Sequence, residues 1–252
     1  VVLKKFQEEK MRAEQLLQKY PRDVLGALRD LNGYYVCPKD SSGKRLGPLV
    51  GYAGKDEWGR HYVGEIYANF AKMEEYPFLL DRYASALLNV FHNPDDRLVF
   101  CGAPLGGMGF ATILASVFRV RYVFPDKIVT SLATEHQREQ SELVFKRHSL
   151  HPGDRVVIVE DVANNFSTTD KMISLAEDQK ARVERITSLL NRSLKIDKAY
   201  KGIPVDCLVR LPIDEWEQDD LGVAEDVKKG NVIWKPKDQW DVLEYAMKHY
   251  AV

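Results

Sequence analysis

The sequence predicts an α/β fold: a mostly parallel twisted sheet flanked by helices, with an N-terminal helical and hood-like segment. Three observations carry this. Short continuous apolar runs, Leu98–Cys101 and Val156–Val159 the clearest, have the composition of strands buried on both faces. Amphipathic stretches at helical spacing lie between such runs. Strands alternating with helices give parallel sheets with right-handed crossovers.

Composition narrows the function. The 252 residues carry 36 Lys+Arg against 37 Asp+Glu, a formal net charge of -1, and 45% are apolar. A disordered chain, a collagen-like repeat and a polyelectrolyte tail are excluded. Nucleic-acid capture by counterion release is not expected either, because no net positive charge is available. Cys37, Cys101 and Cys207 are far apart and form no C-x-x-C pair, which suggests neither a zinc site nor a disulfide framework. No stretch approaches the roughly 18 apolar residues that span a bilayer, and Val1 to Tyr20 has no signal-peptide apolar region. The expected setting is the cytoplasm, without membrane contact.

In chain order, Phe6 to Tyr20 reads as a helix, stopped by Pro21. Val24 to Leu31 reads as a second, ended by Asn32-Gly33. Tyr34 to Gly54 is rich in turn residues flanked by short strands, Tyr34–Val36 and Leu49–Tyr52, as in a hairpin or lid. Phe78 to Phe91 is an amphipathic helix. The α/β rhythm follows. Leu98–Cys101 leads into a Gly-rich turn and a helix over Phe110 to Phe118, then a strand at Tyr122–Phe124. Pro125 to Ser149 is polar and charge-dense. Val156–Val159 is the clearest buried strand. Asp170 to Ala181 is helical, Ile186–Leu190 and Val205–Leu211 are strands, and Trp240 to His249 is a terminal helix. The expected organisation is 1–55 as helices and hood, 56–212 as the core, and 213–252 as a Trp-containing cap.

The candidate site lies where Val156–Val159 runs into Glu160-Asp161, followed by Asn164-Asn165-Phe166-Ser167-Thr168-Thr169 and a helix. Open α/β sheets bind ligands outside the carboxyl ends of their strands. Two carboxylates there can grip vicinal hydroxyls or a hydrated cation. The loop beyond offers amides, hydroxyls and helix N-terminal N–H groups to a phosphate. Together they suggest a ribose-phosphate ligand. The alternative is structural, since acidic strand ends and Ser/Thr caps are common.

The run Val156 to Thr168 resembles the phosphoribosyl-diphosphate signature of type I phosphoribosyltransferases: four apolar residues, two acidic, two apolar, then a Thr/Ser/Gly-rich phosphate loop. Gly59-Arg60-His61-Tyr62 to Asn69, Leu98 to Gly107 and Tyr122–Phe124 are similar, in the same order, to other parts of the orotate phosphoribosyltransferase branch. The resemblance covers about residues 50 to 195. It implies transfer of ribose 5-phosphate from phosphoribosyl diphosphate to a nitrogenous base, an orotate-like pyrimidine favoured, with release of pyrophosphate. By the same resemblance, Glu160 and Asp161 hold the ribose hydroxyls. Asn164, Asn165, Phe166, Ser167, Thr168 and Thr169 form the 5-phosphate loop, and Leu105, Gly106 and Gly107 the pyrophosphate loop. Lys127, with His136 or Arg138 from the mobile segment, closes the site, and Arg192 meets the carboxylate of the base. Mg2+ is the implied cofactor, held through the donor, with Asp161 the one candidate protein ligand. A homodimer is implied.

The sequence also departs from the family pattern. Phe166 stands where a family loop usually has Gly. Leu105-Gly106-Gly107 lacks the Lys of orotate enzymes, and Asp126 precedes Lys127 where a basic pair is usual. These changes keep a second reading open: a phosphoribosyltransferase-fold protein that binds a nucleotide or a protein partner without turnover. Glu135/Glu139 and Arg138/Glu142 are also at the spacing of a solvated helix, Arg192 also reads as a solvated surface residue, and Lys201-Gly202-Ile203-Pro204 reads as a connection between two strands.

Overall fold

A computed structural model describes residues 2–91, 95–131 and 140–250. In chain order the elements begin with α1 (Val2–Lys19), α2 (Val24–Asp30), β1 (Tyr34–Val36), β2 (Leu49–Lys55), β3 (His61–Gly64), β4 (Ile66–Ala68), α3 (Ala71–Glu74) and α4 (Pro77–Ser85). The α/β succession is β5 (Leu98–Gly102), α5 (Gly107–Phe118), β6 (Arg121–Val123), β7 (Asp126–Ser131), β8 (Gln140–Val144), β9 (Arg155–Ala163), α6 (Ser167–Asp178) and β10 (Arg182–Asn191). It closes with β11 (Ala199–Tyr200), β12 (Ile203–Arg210), α7 (Ala224–Lys228), β13 (Val232–Ile233) and α8 (Trp240–Tyr250). The chain forms two compact units: Val1–Val24 with Glu74–Leu211, and Leu25–Met73 with Pro212–Val252.

The first unit is built on a six-stranded sheet in the order β11-β12-β10-β9-β5-β6. Its five main strands are parallel, and only the edge strand β11 runs antiparallel. The predicted fold class is therefore present. Side chains alternate across a strand, so β5 and β9 each bury two faces. Val99, Cys101, Val156 and Ile158 share one core with Met172, Ile173 and Ala176 of α6. On the other face Phe100 meets Phe118 of α5 with ring centroids 5.6 Å apart, and Phe91 packs edge-on against both rings. The two helices thus cover opposite faces.

Two segments differ from the sequence reading. The helix expected over Phe78 to Phe91 ends at Ser85, whose hydroxyl donates to the Asp81 carbonyl. Such back-bonding competes with the helical ladder. Tight i→i−3 turns then carry the chain to Val90, so Leu87 and Phe91 stay buried. The charge-dense segment after Pro125 contains the antiparallel pair β7 and β8. Glu142 lies in β8, so helical spacing does not extend to it.

At the amino end of the parallel strands, Arg155 grips Glu184 with two bonds of 2.5 and 2.9 Å and reaches Asp95 at 3.0 Å. The Arg155 hydrogen bond holds the Glu184 carboxyl below its ordinary value of 4.5, against a smaller opposing effect of burial. A carboxylate lowered in the folded state adds stability that is full above its unfolded value and lost as pH falls through the folded one. We expect urea denaturation of Arg155→Met to show a weaker loss of stability below about pH 4.5 than the wild type. Parallel acid limbs would refute this.

The second unit holds a β13-β2-β3 sheet and a separate β1–β4 pair. The turn-rich segment is thus not one hairpin: β1 pairs with β4, whereas β2 pairs with β3 and, in parallel, with β13. Tyr35, Cys37, Val50 and Tyr52 form its core with Trp240, Leu243 and Ala246 of α8. Trp216 bridges to Val63 and Trp240 donates to the Asn32 carbonyl at 3.0 Å. These tryptophans pack the unit. Among the described residues, no helix is long and apolar enough to cross a membrane.

Candidate functional site

The site follows from the order of the sheet. From β5 the chain proceeds through α5 to β6 on one side. From β9 it proceeds through α6 to β10 on the other. Neighbouring strands whose connections leave in opposite directions open a crevice at their carboxyl ends. Two loops border it: Ala103 to Gly106 after β5, and Asn164 to Phe166 after β9.

Glycine brings the first loop against the second strand. A methyl group on Gly106 would lie 2.2 Å from Asp161 Oδ2, and one on Gly107 would lie 2.0 Å from the Val159 carbonyl oxygen. The Asp161 carboxylate therefore rests on the start of α5, and its Oδ1 accepts the Val162 N–H at 2.8 Å. Alternation directs Glu160 to the opposite face, the one α6 covers. Burial, and then the charge of Asp161, push the Glu160 carboxyl well above its ordinary range. The two carboxylates thus point to opposite faces of the sheet, Asp161 toward Gly106 and Glu160 toward the α6 side.

In the second loop Asn165 Oδ1 accepts from the Ser167 N–H at 3.2 Å and from its hydroxyl at 3.1 Å. Phe166 adopts a left-handed conformation, φ 59 and ψ 16, immediately before α6. The loop of β10 joins here too, because the Arg192 N–H donates to the Ala163 carbonyl at 2.9 Å.

No family model matches the chain. Among curated proteins, the orotate phosphoribosyltransferase of Thermotoga maritima is 24% identical over 168 residues, 66% of this chain and 81% of that protein. That of Caldanaerobacter subterraneus is 26% identical over 180 residues, 71% and 84% of the two chains. The chain is a member of the type I phosphoribosyltransferase superfamily. Among solved structures, the orotate phosphoribosyltransferase of Aeropyrum pernix has a TM-score of 0.48 at 17% identity, covering 74% of this chain and 92% of that one.

Against the phosphoribosyltransferase pattern, several predicted residues take unexpected places. The Phe166 side chain is buried in the core beneath the loop, 3% exposed, and does not stand in the loop mouth. Thr169 is 1% exposed, so its hydroxyl faces the interior and not a phosphate. The Gly107 N–H already donates to the Ala103 carbonyl, because α5 begins there. This leaves Leu105, whose side chain is exposed, and Gly106 as the loop's candidate donors. Arg192 is buried, 7% exposed, and not a solvated surface residue. The buried Asn191 ties the following loop to Ser193, Ile196 and Asp197.

Lys127 lies in β7 with an exposed side chain, and Asp126 pairs with Arg147 at 3.0 Å. His136 and Arg138 lie outside the described residues. Lys201-Gly202 does connect two strands, as the turn between β11 and β12. Among the described residues no group of three or more His, Cys, Asp or Glu could hold a metal ion. One carboxylate, Asp161, beside the Ala103–Gly106 loop still suits Mg2+, which is commonly held by one or two carboxylates and a substrate's own phosphates. Sequence reasoning missed Tyr200 and Asp170. Their signal was an aromatic residue next to a Lys-Gly turn and an acid in the first turn of a helix.

Proposed function

We propose that the protein is a phosphoribosyltransferase using phosphoribosyl diphosphate and an orotate-like pyrimidine as the favoured base. The observation that supports this reading is the packing of the Asp161 carboxylate on Gly106, at the carboxyl end of β9 and beside the loop proposed for pyrophosphate. In the reaction, the bond from ribose C1 to pyrophosphate breaks and its electron pair leaves with pyrophosphate. A base nitrogen then closes on C1, and its proton passes to solvent. Glu160 and Asp161 hold the ribose hydroxyls. Asn164, Asn165, Ser167 and Thr168 receive the 5-phosphate, and the Leu105 and Gly106 amides the pyrophosphate. Mg2+ carried by the donor supplies neutralising charge to the leaving group, with Asp161 its candidate protein ligand. Lys127, with His136 or Arg138, closes over the site, and Arg192 pairs with a carboxylate on the base. Catalysis is positional and electrostatic. The protein works as a cytoplasmic homodimer on small molecules and not on nucleic acid.

Phe166, Leu105 and Asp126 favour a second reading, binding of a nucleotide or a protein partner without turnover. Titration calorimetry with phosphoribosyl diphosphate and Mg2+ tests the site. We expect micromolar binding, lost in the double variant Glu160→Ala/Asp161→Ala. Pyrophosphate release across a panel of bases separates the enzyme from the binding protein. Equal affinity in wild type and double variant, with both folded, would remove the site from the end of β9.

A further inference from the structure

The left-handed residue before α6 is the least expected feature of the loop. A residue with a Cβ is disfavoured in that conformation, and it persists only where surrounding structure fixes it. Here the fixing contacts come from the β11–β12 turn. The Tyr200 ring lies on the Phe166 ring, with centroids 4.6 Å apart and planes 31° apart. The Tyr200 hydroxyl donates to Asp170 Oδ2 at 2.9 Å, and Lys201 Nζ pairs with Asp170 Oδ1 at 2.7 Å. Asp170 in turn donates its N–H to the Phe166 carbonyl at 2.9 Å, closing the first turn of α6. Both turn residues are themselves left-handed, Lys201 at φ 51 and Gly202 at φ 77. That conformation gives a tight two-residue hairpin, which sets Tyr200 in one place.

We propose that Tyr200 is a positioning residue: through Phe166 and Asp170 it holds the Asn165–Thr168 loop, before any ligand arrives, in the form that accepts a phosphate monoester. A Gly at 166 would reach the same backbone conformation but would leave it free, so the loop would have to be ordered at binding. A loop already ordered binds with less entropic loss. The pair Phe166–Tyr200 therefore replaces the freedom of a glycine loop with rigidity. This rests on the reading of the loop as a 5-phosphate site.

The test compares wild type, Tyr200→Leu and Tyr200→Phe, using ribose 5-phosphate and Mg2+-pyrophosphate as separate probes in calorimetry. In the ligand-free proteins, hydrogen exchange is followed at the Ser167 and Thr168 amides. Tyr200→Leu should weaken ribose 5-phosphate about tenfold, as loss of an aromatic contact would. It should leave pyrophosphate binding unchanged and speed exchange at both amides. Tyr200→Phe, which keeps the ring on Phe166 but loses the hydrogen bond to Asp170, should fall between wild type and Tyr200→Leu. A purely structural role would lower thermal stability without separating the two probes. Unchanged ribose 5-phosphate affinity in folded Tyr200→Leu overturns the proposal. So does a wild type that binds pyrophosphate alone. A wild type that binds neither probe overturns the reading of the site instead, and exchange then decides the loop-holding role by itself: equal rates in Tyr200→Leu and wild type reject it. If Tyr200→Leu does not fold, Tyr200→Met carries the same comparison.

Discussion

Gly107→Ala is expected to destabilise the protein by about 3 kcal/mol, lowering the melting temperature by roughly 6–12 °C. The added methyl would lie 2.0 Å from the Val159 carbonyl oxygen and 3.1 Å from Glu160 Cα. Both neighbours are backbone of the central strand β9, held on one side by β5 and on the other by β10. Neither can swing aside, so α5 would have to lift away from the sheet. Gly106→Ala gives the contrast. There the methyl meets the Asp161 carboxylate, the end of a side chain that can rotate. We expect Gly106→Ala to lose less stability and to lose binding of phosphoribosyl diphosphate, because Asp161 moves. Thermal melts and calorimetry on the two variants check both. Equal melting temperatures for Gly107→Ala and wild type would show that the strand and loop do not touch as described.

The second large effect belongs to Phe166, and its sign is unusual. Removing a buried Phe ring destabilises by about 3–5 kcal/mol through lost contact and the cavity left behind. The left-handed backbone remains, and Gly adopts it more readily than Ala by about 1 kcal/mol. Phe166→Gly should therefore be more stable than Phe166→Ala, with both well below wild type. Ordinarily Gly is the less favourable of the two. Urea denaturation of the three proteins gives the order directly. If Phe166 merely obstructed the loop, Phe166→Gly would bind ribose 5-phosphate more tightly. With the ring directed into the core and against Tyr200, we expect no gain.

The centre of the sheet was legible because β5 and β9 are buried on both faces. Four apolar residues in a row, as at Val156–Val159, leave little else for the chain to do. The pair β7 and β8 was not legible, since polar and apolar residues do not alternate along β7: Lys127 and Val129 share its exposed face, and Asp126 and Ile128 the half-buried one. The end of α4 was hidden because Leu87 and Phe91 keep the helical spacing while tight turns replace the helix. At the site, residue types along β9 were readable, but contacts across it were not. That Gly106 touches Asp161, or that Tyr200 lies on Phe166, depends on strand order, which no local pattern records. Arg192 was misjudged for a related reason. Its charge suggested solvent, whereas its N–H is fastened to the end of β9 and its side chain is buried.

The parallel pairing of β2 with β13 bears on how the chain matures as it is made. Leu49 and Val50 are opposite Val232 and Ile233. Tyr35 and Tyr52 share their core with Trp240 and Leu243. Residues 25–73 are made before their partners, which emerge only after the whole of the parallel sheet. Domains commonly fold as they emerge, so the sheet-bearing unit can be complete while the first half of the other still waits. During that interval β2 presents an unpaired edge and Tyr35, Val50 and Tyr52 lack their cover. The nascent chain thus passes through a stage in which β2 and the aromatic residues around it are adhesive, a stage that ends only when α8 has emerged.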